Sequence, residues 1–381
     1  MNVLHITTGL NDGGAEAMLY RLCINDVSNR HVVISLMDAG KYGPLLRESG
    51  VSVYTLDLER HQITISALIK LFFLVRSHRE YVVQTWMYHG DLLGGVMAYF
   101  NGVRKIVWGI HNTVLEPGIS TRTTIWIAKW LAKFSWWLPD SIIACSNRSI
   151  EVHRELGYDP NKMKFVPNGY DISMFFPDET NCSDYLSSVN LLVKGRPIIG
   201  VVGRHDPYKD HDNLFAALAL LKDRDVPFFC LLVGKGMDEN NLVIREKIGA
   251  LGLVDHVALL GQRSDIAKIM NVLDIHVLSS SAEAFPNVVC EAMACGTPCV
   301  VTDVGDAGHI VGDTGWVVPP KNPTALAEAI ETAIGELKDP AWVERCRMSR
   351  QRIEDNFSIE KVVSMYSNVW ASSNSIVMSH S

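Results

Sequence analysis

Residues 275–301 have the sequence IHVLSSSAEAFPNVVCEAMACGTPCVV, in which two short apolar runs flank a polar loop and a segment of helical length. The runs at 275–278 and 298–301 are hydrophobic without alternation, which is typical of strands covered on both faces in a parallel sheet. Between them lie Glu283, in the loop, and Glu291, in the first turns of a helix that we expect to be capped near Asn287. The stretch predicts a strand–helix–strand unit that carries two carboxylates.

Similar apolar runs recur along the whole chain, and segments of helical length separate them. The alternation predicts two doubly wound α/β domains, residues 1–185 and 193–357, joined near residues 178–195. A last amphipathic segment, 358–371, has helical spacing and is compatible with packing on either domain. The predicted strands are 3–7, 31–36, 51–56, 81–85, 105–110 and 141–144 in the first domain, and 197–202, 228–233, 256–260, 275–278 and 298–301 in the second.

The composition excludes several classes of protein. The chain has 381 residues, of which 48% are hydrophobic and 20% charged, so disordered chains and disulfide scaffolds are poor interpretations. A net charge of −7 argues against a nucleic-acid partner. The cysteines form no C-x-x-C motif, which favours a reduced, cytoplasmic protein without a zinc ribbon. We expect no secretory signal, and the apolar run 63–75 is shorter than the roughly 20 residues of a membrane span.

Two loops have the residues expected of a phosphate-binding site. Arg204 and Lys209 follow the predicted strand 197–202, at the edge of the sheet where ligands of doubly wound folds bind, and diphosphate is the natural ligand for such a pair. Gly13 and Gly14 precede a predicted helix, so the backbone can approach a phosphate closely. Taken singly, these features are also compatible with solvated charges and a tight turn. Together with Glu283 and Glu291, whose carboxylates can accept hydrogen bonds from sugar and ribose hydroxyls, they favour a nucleotide-sugar site.

These motifs, above all the segment from Glu283 to Glu291, resemble those of glycosyltransferase family 4, and the resemblance extends over essentially the full chain. It implies a GT-B fold, in which two Rossmann-like domains face across a cleft and a C-terminal helix returns to the first domain. It also implies retaining transfer from a nucleoside diphosphate sugar without an essential metal or other cofactor. Family frequency suggests uridine as the base and an N-acetylhexosamine or hexose as the sugar.

The resemblance also assigns roles to individual residues. Glu283 would hold hydroxyls of the donor sugar and Glu291 those of the ribose, while Arg204, Lys209 and the amide of Gly14 would neutralise the leaving diphosphate. The donor-binding residues would further include Gly13, Ala284, Phe285, Pro286, Asn287 and Val288, together with Gln262 and Arg263 in the loop that borders the base. His111, after the predicted strand 105–110, would lie beside the sugar. The family's usual Glu-Gly-Phe-Pro has Ala284 in place of glycine, which either tightens the loop or only changes its φ preference. Two Asp-x-Asp sequences, 210–212 and 223–225, are interpreted as surface charges.

The segment 123–138 combines four tryptophans with Lys129 and Lys133 and contains no acidic residue. A basic amphipathic helix rich in aromatic residues can lie in a lipid interface, which would suit a lipid-linked or glycan acceptor; the alternative is a packed domain helix. We therefore expect a cytoplasmic enzyme of surface-polysaccharide synthesis that contacts the inner face of an anionic membrane. Two other functions stay open at this point, a sugar-nucleotide epimerase of GT-B shape and a non-catalytic sugar-nucleotide-binding protein.

Overall fold

The computed structural model describes residues 1–59, 63–113, 115, 120–178, 182–189, 191, 193 and 195–372. Contacts within the chain define two compact units. Unit 1 comprises Met1–Gly169 and the segment that begins at Ile359, and unit 2 comprises Tyr170–Ser358. The polar stretch predicted to join the domains, 178–195, is only partly within the described residues.

Unit 1 is a seven-stranded parallel sheet in the order β3-β2-β1-β4-β5-β6-β7. The order reverses between β1 and β4, which is the topological switch point of the sheet. Its strands are β1 (Asn2–Thr7), β2 (Arg30–Ser35), β3 (Ser52–Thr55), β4 (Val82–Trp86), β5 (Ile106–Ile110), β6 (Ser141–Ala144) and β7 (Met163–Phe165). The helices between them are α1 (Gly14–Asn25), α2 (Tyr42–Glu48), α3 (Ile65–Ser77), α4 (Met87–Phe100), α5 (Arg122–Phe134) and α6 (Asn147–Glu155).

Alternate residues of the unit 1 strands enter two different cores. Leu4 and Ile6 pack in the core that also contains Leu71 of α3, Ala98 of α4 and Leu131 of α5. Val3 and Val33 instead pack with residues of α1 and α2. Because both faces of the sheet are covered, its strands are almost continuously apolar, as the sequence indicated.

Unit 2 is a six-stranded parallel sheet in the order β10-β9-β8-β11-β12-β13, with its switch point between β8 and β11. The two strands pair directly, with Gly200 opposite His276. The strands are β8 (Ile198–Val202), β9 (Phe229–Val233), β10 (Val257–Gly261), β11 (Ile275–Leu278), β12 (Cys299–Thr302) and β13 (Trp316–Val318). The helices are α7 (Cys182–Ser188), α8 (His211–Asp223), α9 (Leu242–Ala250), α10 (Ile266–Val272), α11 (Asn287–Ala294), α12 (Ala307–Val311), α13 (Pro323–Glu336) and α14 (Ala341–Phe357).

The last helix, α15 (Ile359–Ala371), belongs to unit 1. Val362 and Tyr366 pack in the core shared with α1, and the Trp370 indole donates a hydrogen bond of 3.1 Å to the buried carboxamide of Gln84. A helix from the end of the chain therefore covers the first sheet.

The predicted fold class, two Rossmann-like parallel-sheet domains, is confirmed. Three details of the prediction were wrong. The short edge strands β7 and β13 were missed, and α5 ends at Phe134, so that Trp136 and Trp137 lie in the turn beyond it. The residue at the cap position of α11 is Pro286, which makes no side-chain cap hydrogen bond, and Asn287 is instead the first residue of the helix.

Candidate functional site

The predicted donor-binding residues of unit 2 follow the carboxyl ends of three strands, β8, β10 and β11. Arg204 and Lys209 follow β8, and Glu283 follows β11, so the switch point separates the predicted cations from this carboxylate. Gln262 and Arg263 follow β10, two strands away. In doubly wound sheets this edge, at the switch point, is where ligands bind.

The loop after β8 is fixed by its own backbone and by the neighbouring loop. Gly234 has a φ of +147°, and a Cβ there would lie 2.1 Å from the carbonyl oxygen of Gly203, so the two loops are in backbone contact. The Asp206 carboxylate accepts the amide of Tyr208 and begins a single 3-10 turn that ends at Lys209. Asp210 then adopts a left-handed conformation and caps α8. The result is a defined position for the Lys209 side chain.

Lys209 and Glu283 form an ion pair across the switch point. The Lys209 ammonium lies 2.7 Å from Oε1 of Glu283, and the two side chains are 22% and 16% exposed. The Ser280 hydroxyl donates to the same carboxylate oxygen at 2.7 Å, and the Ser279 hydroxyl donates to the Lys209 carbonyl at 2.8 Å. The structure therefore brings together one predicted cation and one predicted carboxylate, both held by the serines that precede the loop.

The backbone of the loop around Glu283 is held by the start of α12. Gly305 has a φ of +56°, and a Cβ there would lie 2.5 Å from the carbonyl oxygens of Glu283 and Ala284. The amide of Asp306 donates to the Ala284 carbonyl at 3.1 Å. Such close contact leaves the loop little freedom to move.

The rest of the predicted donor loop leads into α11. Phe285 is buried and its ring stacks on Tyr170, whose hydroxyl donates to the carboxamide oxygen of Asn287. Pro286 precedes the helix, and Val288 is half-buried in its first turn. Glu291 lies one turn beyond Asn287, on the same side of the helix, and is half-buried. The amides at the start of α11 thus lie between the two predicted carboxylates along the chain.

Two other predicted cations are already paired with acids. The Arg204 side chain is 68% exposed, and its guanidinium lies 2.9 Å from the Asp206 carboxylate. Arg263 makes two hydrogen bonds to Asp265, and this contact lowers the pKa of Asp265 to about 2. Gln262 is exposed. Of the predicted cations, Lys209 is therefore the one whose side chain contacts a predicted carboxylate at the switch point.

Two buried histidines near Lys209 were not predicted. His276, in the middle of β11, is fully buried; burial lowers its pKa to about 3, with a smaller contribution from the charge of Lys209. His211, at the start of α8, has its pKa lowered to about 4, again mainly by burial. Both rings are neutral at pH 7. His276 lies in an apolar run, and its sequence context does not distinguish it from a core residue. His211 directly follows the loop that contains Arg204 and Lys209, so its position near Lys209 could have been predicted from the sequence.

The remaining predicted residues lie in unit 1. His111 directly follows β5, its ring stacks on Trp86 at a centroid distance of 5.0 Å, and burial lowers its pKa to about 4. Gly13 is the cap residue of α1 and Gly14 its first residue. The Glu16 carboxylate lies against Gly13, where an added Cβ would be 2.2 Å from Oε2. An anion at this helix start would therefore meet a like charge, and burial already raises the pKa of Glu16.

One group of side chains in the described part of the chain has atoms close enough to share a metal ion. His5, Cys23 and His31 are buried in unit 1 with their ligand atoms within 4.8 Å of one another. The Trp86 indole donates to Nδ1 of His5, and Nε2 of His5 lies 2.9 Å from Nδ1 of His31. These imidazoles are engaged in a hydrogen-bonded chain, and we assign no metal to them. Of the Asp-x-Asp residues, Asp210 is a helix cap and Asp212 is paired with Lys247.

The parallel sheets of the two units, together with the family models that match the chain, define the class of protein, a GT-B glycosyltransferase. A sequence model described as Glycosyltransferase Family 4 matches residues 12–174, and one described as Glycosyl transferases group 1 matches residues 185–349. N-acetyl-alpha-D-glucosaminyl L-malate synthase of Bacillus anthracis is 33% identical over 275 residues, which cover 70% of this chain and 67% of the relative. The chain therefore belongs to glycosyltransferase family 4, as the resemblance indicated.

Two further similar proteins have a known substrate or a bound ligand in their names. The UDP-Gal:alpha-D-GlcNAc-diphosphoundecaprenol alpha-1,3-galactosyltransferase of Escherichia coli is 28% identical over 249 residues, which cover 64% of this chain and 63% of that enzyme. The crystal structure of Anabaena HepE in complex with UDP aligns with a TM-score of 0.83 at 23% identity, over 97% of this chain and 99% of the other. At that identity the structural match establishes the fold. Among the described residues, no helix is both long and apolar enough to cross a bilayer.

Proposed function

We propose that this glycosyltransferase transfers a hexose or N-acetylhexosamine from a UDP-sugar to a hydroxyl of a lipid-linked or glycan acceptor, with retention of configuration and without a metal or other cofactor. The observation that carries the proposal is the contact between Lys209 and Glu283 beside the start of α11. The Escherichia coli relative, whose name specifies UDP-galactose and a diphosphoundecaprenol-linked acceptor, supports the donor and acceptor classes.

The proposed roles follow from where charge changes in the reaction. The bond between the anomeric carbon and the diphosphate breaks, and negative charge builds on the leaving group. The Lys209 ammonium and the amides of α11 stabilise that charge, because they are fixed before the reaction begins. Glu283 accepts hydrogen bonds from the sugar and Glu291 from the ribose. The acceptor oxygen bonds to the face of the sugar that the diphosphate leaves, and the acceptor hydroxyl gives up its proton to the departing diphosphate.

Metal independence is proposed on the same basis. A divalent cation in a transferase neutralises the diphosphate, and here Lys209 supplies a positive charge at the switch point, with Arg204 in the same loop. The Asp-x-Asp residues do not offer a free pair of carboxylates, since Asp212 is ion-paired with Lys247.

The function is tested by measuring nucleoside diphosphate release from a panel of UDP-, GDP- and ADP-sugars with lipid-linked and soluble glycan acceptors. Turnover with a UDP-sugar only when an acceptor is present, and an α-linked product from an α-linked donor by NMR, supports the proposal. A changed sugar nucleotide formed without acceptor would identify an epimerase. Binding without any turnover would identify a non-catalytic binder.

We also propose that α5 attaches the enzyme to the cytoplasmic face of an anionic membrane. One side of the helix, including Ile127 and Leu131, is buried in the core of unit 1. The other side exposes Trp126 (59%) and Trp130 (41%), whose rings are in contact. Lys133 lies over the Trp130 ring at 5.0 Å. The helix thus packs in the domain and also presents aromatic rings and cations to solvent, the combination that binds lipid headgroups.

Charge reversal tests the attachment. Lys129→Glu with Lys133→Glu should lower sedimentation with phosphatidylglycerol liposomes more than tenfold at low salt, because each lysine near such a surface contributes about 1 kcal/mol. The difference should shrink as salt rises. Lys268→Glu with Lys338→Glu, two exposed lysines of unit 2, is the matched control and should sediment like the wild type. Equal sedimentation of the α5 variant and the control would contradict attachment through α5.

A further inference from the structure

Unit 1 contains a cavity of about 560 Å³ that none of the donor-binding roles uses. It lies at the carboxyl edge of the sheet, where loops from β1, β2 and β3 meet the first turns of α4 and α5. Its volume is within the range of about 300–1,000 Å³ typical of small-molecule sites. Most of its wall is aliphatic, and the residues responsible are Leu36, Met37, Leu58, Ile63, Leu93 and Ile127.

The polar groups of this cavity are few and lie toward its rim. Glu59 and Thr123 are exposed, while Thr8 and His89 are half-buried. The hydroxyl oxygen of Thr8 is buried and has no hydrogen-bond partner in the described part of the chain, so a ligand can supply one. A sugar would need several such partners in the wall to replace its contacts with water. The lining instead matches a hydrocarbon that ends in one polar group.

The shape of the cavity depends on a strained junction between β4 and α4. Met87, the first residue of α4, has a φ of +66°, which is uncommon for a residue other than glycine. The sharp turn lets α4 start directly at the end of the strand, and His89 and Leu93, one helical turn apart, both line the cavity. Strain of this kind persists where the surrounding structure requires it, and it is common at binding sites.

The helix proposed to touch the membrane also forms one wall of the cavity. Thr123 and Ile127 of α5 line it, and Trp126 and Trp130 form the adjacent exposed side of the same helix. An apolar surface therefore continues from the cavity to the ring pair that would lie among lipid headgroups. Residues 120–138 include three cations and no acid, which suits a phosphate at the head of a chain.

From these observations we propose that the cavity binds the aliphatic chain of the acceptor lipid, in the part adjoining its phosphate. The inference rests on the proposed function in that the acceptor is taken to be lipid-linked. The chain would leave the bilayer along α5 and enter the cavity between α4 and α5. Affinity for the acceptor would then depend on its hydrocarbon as well as on its glycan.

The test fills the cavity with a side chain. Thr123→Trp adds an indole at an exposed helical position on its wall, and Thr332→Trp makes the same change at an exposed threonine of α13. Calorimetry with farnesyl monophosphate, below its aggregation concentration, should give a Kd at least tenfold higher for Thr123→Trp and an unchanged Kd for Thr332→Trp. Leu58→Gln, which places an amide in the aliphatic wall, should weaken binding similarly without filling the space. Inorganic phosphate should not bind measurably to any of them.

Transfer assays separate this inference from the proposed function. Thr123→Trp should raise the KM for a lipid-linked acceptor about tenfold and leave the KM for the same glycan on a methyl group unchanged. Transfer to lipid-linked acceptor with no effect of Thr123→Trp or Leu58→Gln would overturn the cavity assignment while leaving the function intact. Farnesyl monophosphate binding that both variants weaken, with no transfer to any lipid-linked acceptor, would support the cavity and refute the acceptor class.

Discussion

Replacing Lys209 by methionine removes one charge from the switch point while keeping the length of the side chain. The ammonium is 2.7 Å from the Glu283 carboxylate. At an effective dielectric constant of about 20, the bare attraction over such a distance is about 6 kcal/mol, most of which offsets the desolvation of the two groups. After the substitution Glu283 keeps the hydrogen bond from Ser280 and some access to solvent. We therefore expect the free energy of unfolding to fall by no more than about 2 kcal/mol.

The effect on the rate should be larger than the effect on stability. Diphosphate charge is greatest in the transition state, and loss of one fixed group that stabilises such charge typically costs about 3–4 kcal/mol, or about 10²–10³ in kcat. UDP release at saturating donor measures kcat, and urea denaturation measures stability. Lys268→Met, at an exposed lysine of α10, is the control and should match the wild type in both. A kcat for Lys209→Met within threefold of the wild type would refute the role of Lys209 at the leaving group.

Three other predictions concern the site and the core of unit 1. Glu291→Gln should raise the Kd of UDP about 10- to 100-fold in calorimetry, since a charge-assisted hydrogen bond contributes about 1.5–3 kcal/mol. Glu283→Gln should change the Kd of UDP less than threefold and weaken binding of the intact UDP-sugar instead. Equal losses of UDP affinity in both variants would contradict the assignment. Activity should persist in EDTA, and a loss restored by manganese would contradict metal independence. Burial raises the pKa of Asp91 to about 8, so the folded chain keeps a proton that the unfolded chain releases above about pH 4. Wild type should therefore lose stability relative to Asp91→Asn by about 1.4 kcal/mol per pH unit between pH 5.5 and 7.5 in urea denaturation, and a pH-independent difference would contradict the raised pKa.

The fold was predictable for the central strands and for the edge strands β3 and β10, whereas the edge strands β7 and β13 were missed. β8 is buried along its whole length, so its apolar run is continuous and easily recognised. β7 has only three residues, of which Lys164 is exposed, and β13 has an exposed Val317 at its centre. Edge strands pair on one side only and need less apolar surface. At three residues each, with an exposed residue at the centre, β7 and β13 lack the apolar run that identifies the longer strands.

The sequence predicted individual site residues, but it did not predict which residues far apart in the chain are in contact. Lys209 and Glu283 are separated by 74 positions, and they meet because β8 and β11 are neighbours in the sheet. The pattern of apolar runs indicates where most strands lie but not their order in the sheet. The pairing of Arg263 with Asp265, by contrast, joins residues two positions apart and was open to prediction from the sequence.

The sequence also did not determine whether the tryptophans of α5 are buried or exposed. The tryptophans are spread around the segment, so spacing alone does not identify a single apolar face. In the structure Ile127 and Leu131 take the buried side, and Trp126 and Trp130 stay largely exposed. Packing against α4 accounts for this choice, because Ile127 and Leu131 lie in the core that α4 and α5 share and the two indoles do not.

The structure also shows the backbone conformation of Ala284, which replaces the family's usual glycine. Among the described residues other than glycine, positive φ values occur at Asp57, Met87, Asp210, Asp225 and Lys321, so Ala284 has an ordinary backbone conformation. Alanine in place of the family's glycine therefore introduces no strain. The glycine that this loop does require is Gly305, whose φ is +56° and whose Cβ, if present, would lie 2.5 Å from the carbonyl oxygens of Glu283 and Ala284. Because that contact sets the position of the Glu283 backbone, and Glu283 in turn holds Lys209, the geometry of the proposed donor site depends on a glycine that lies 14 residues beyond the segment from Glu283 to Glu291.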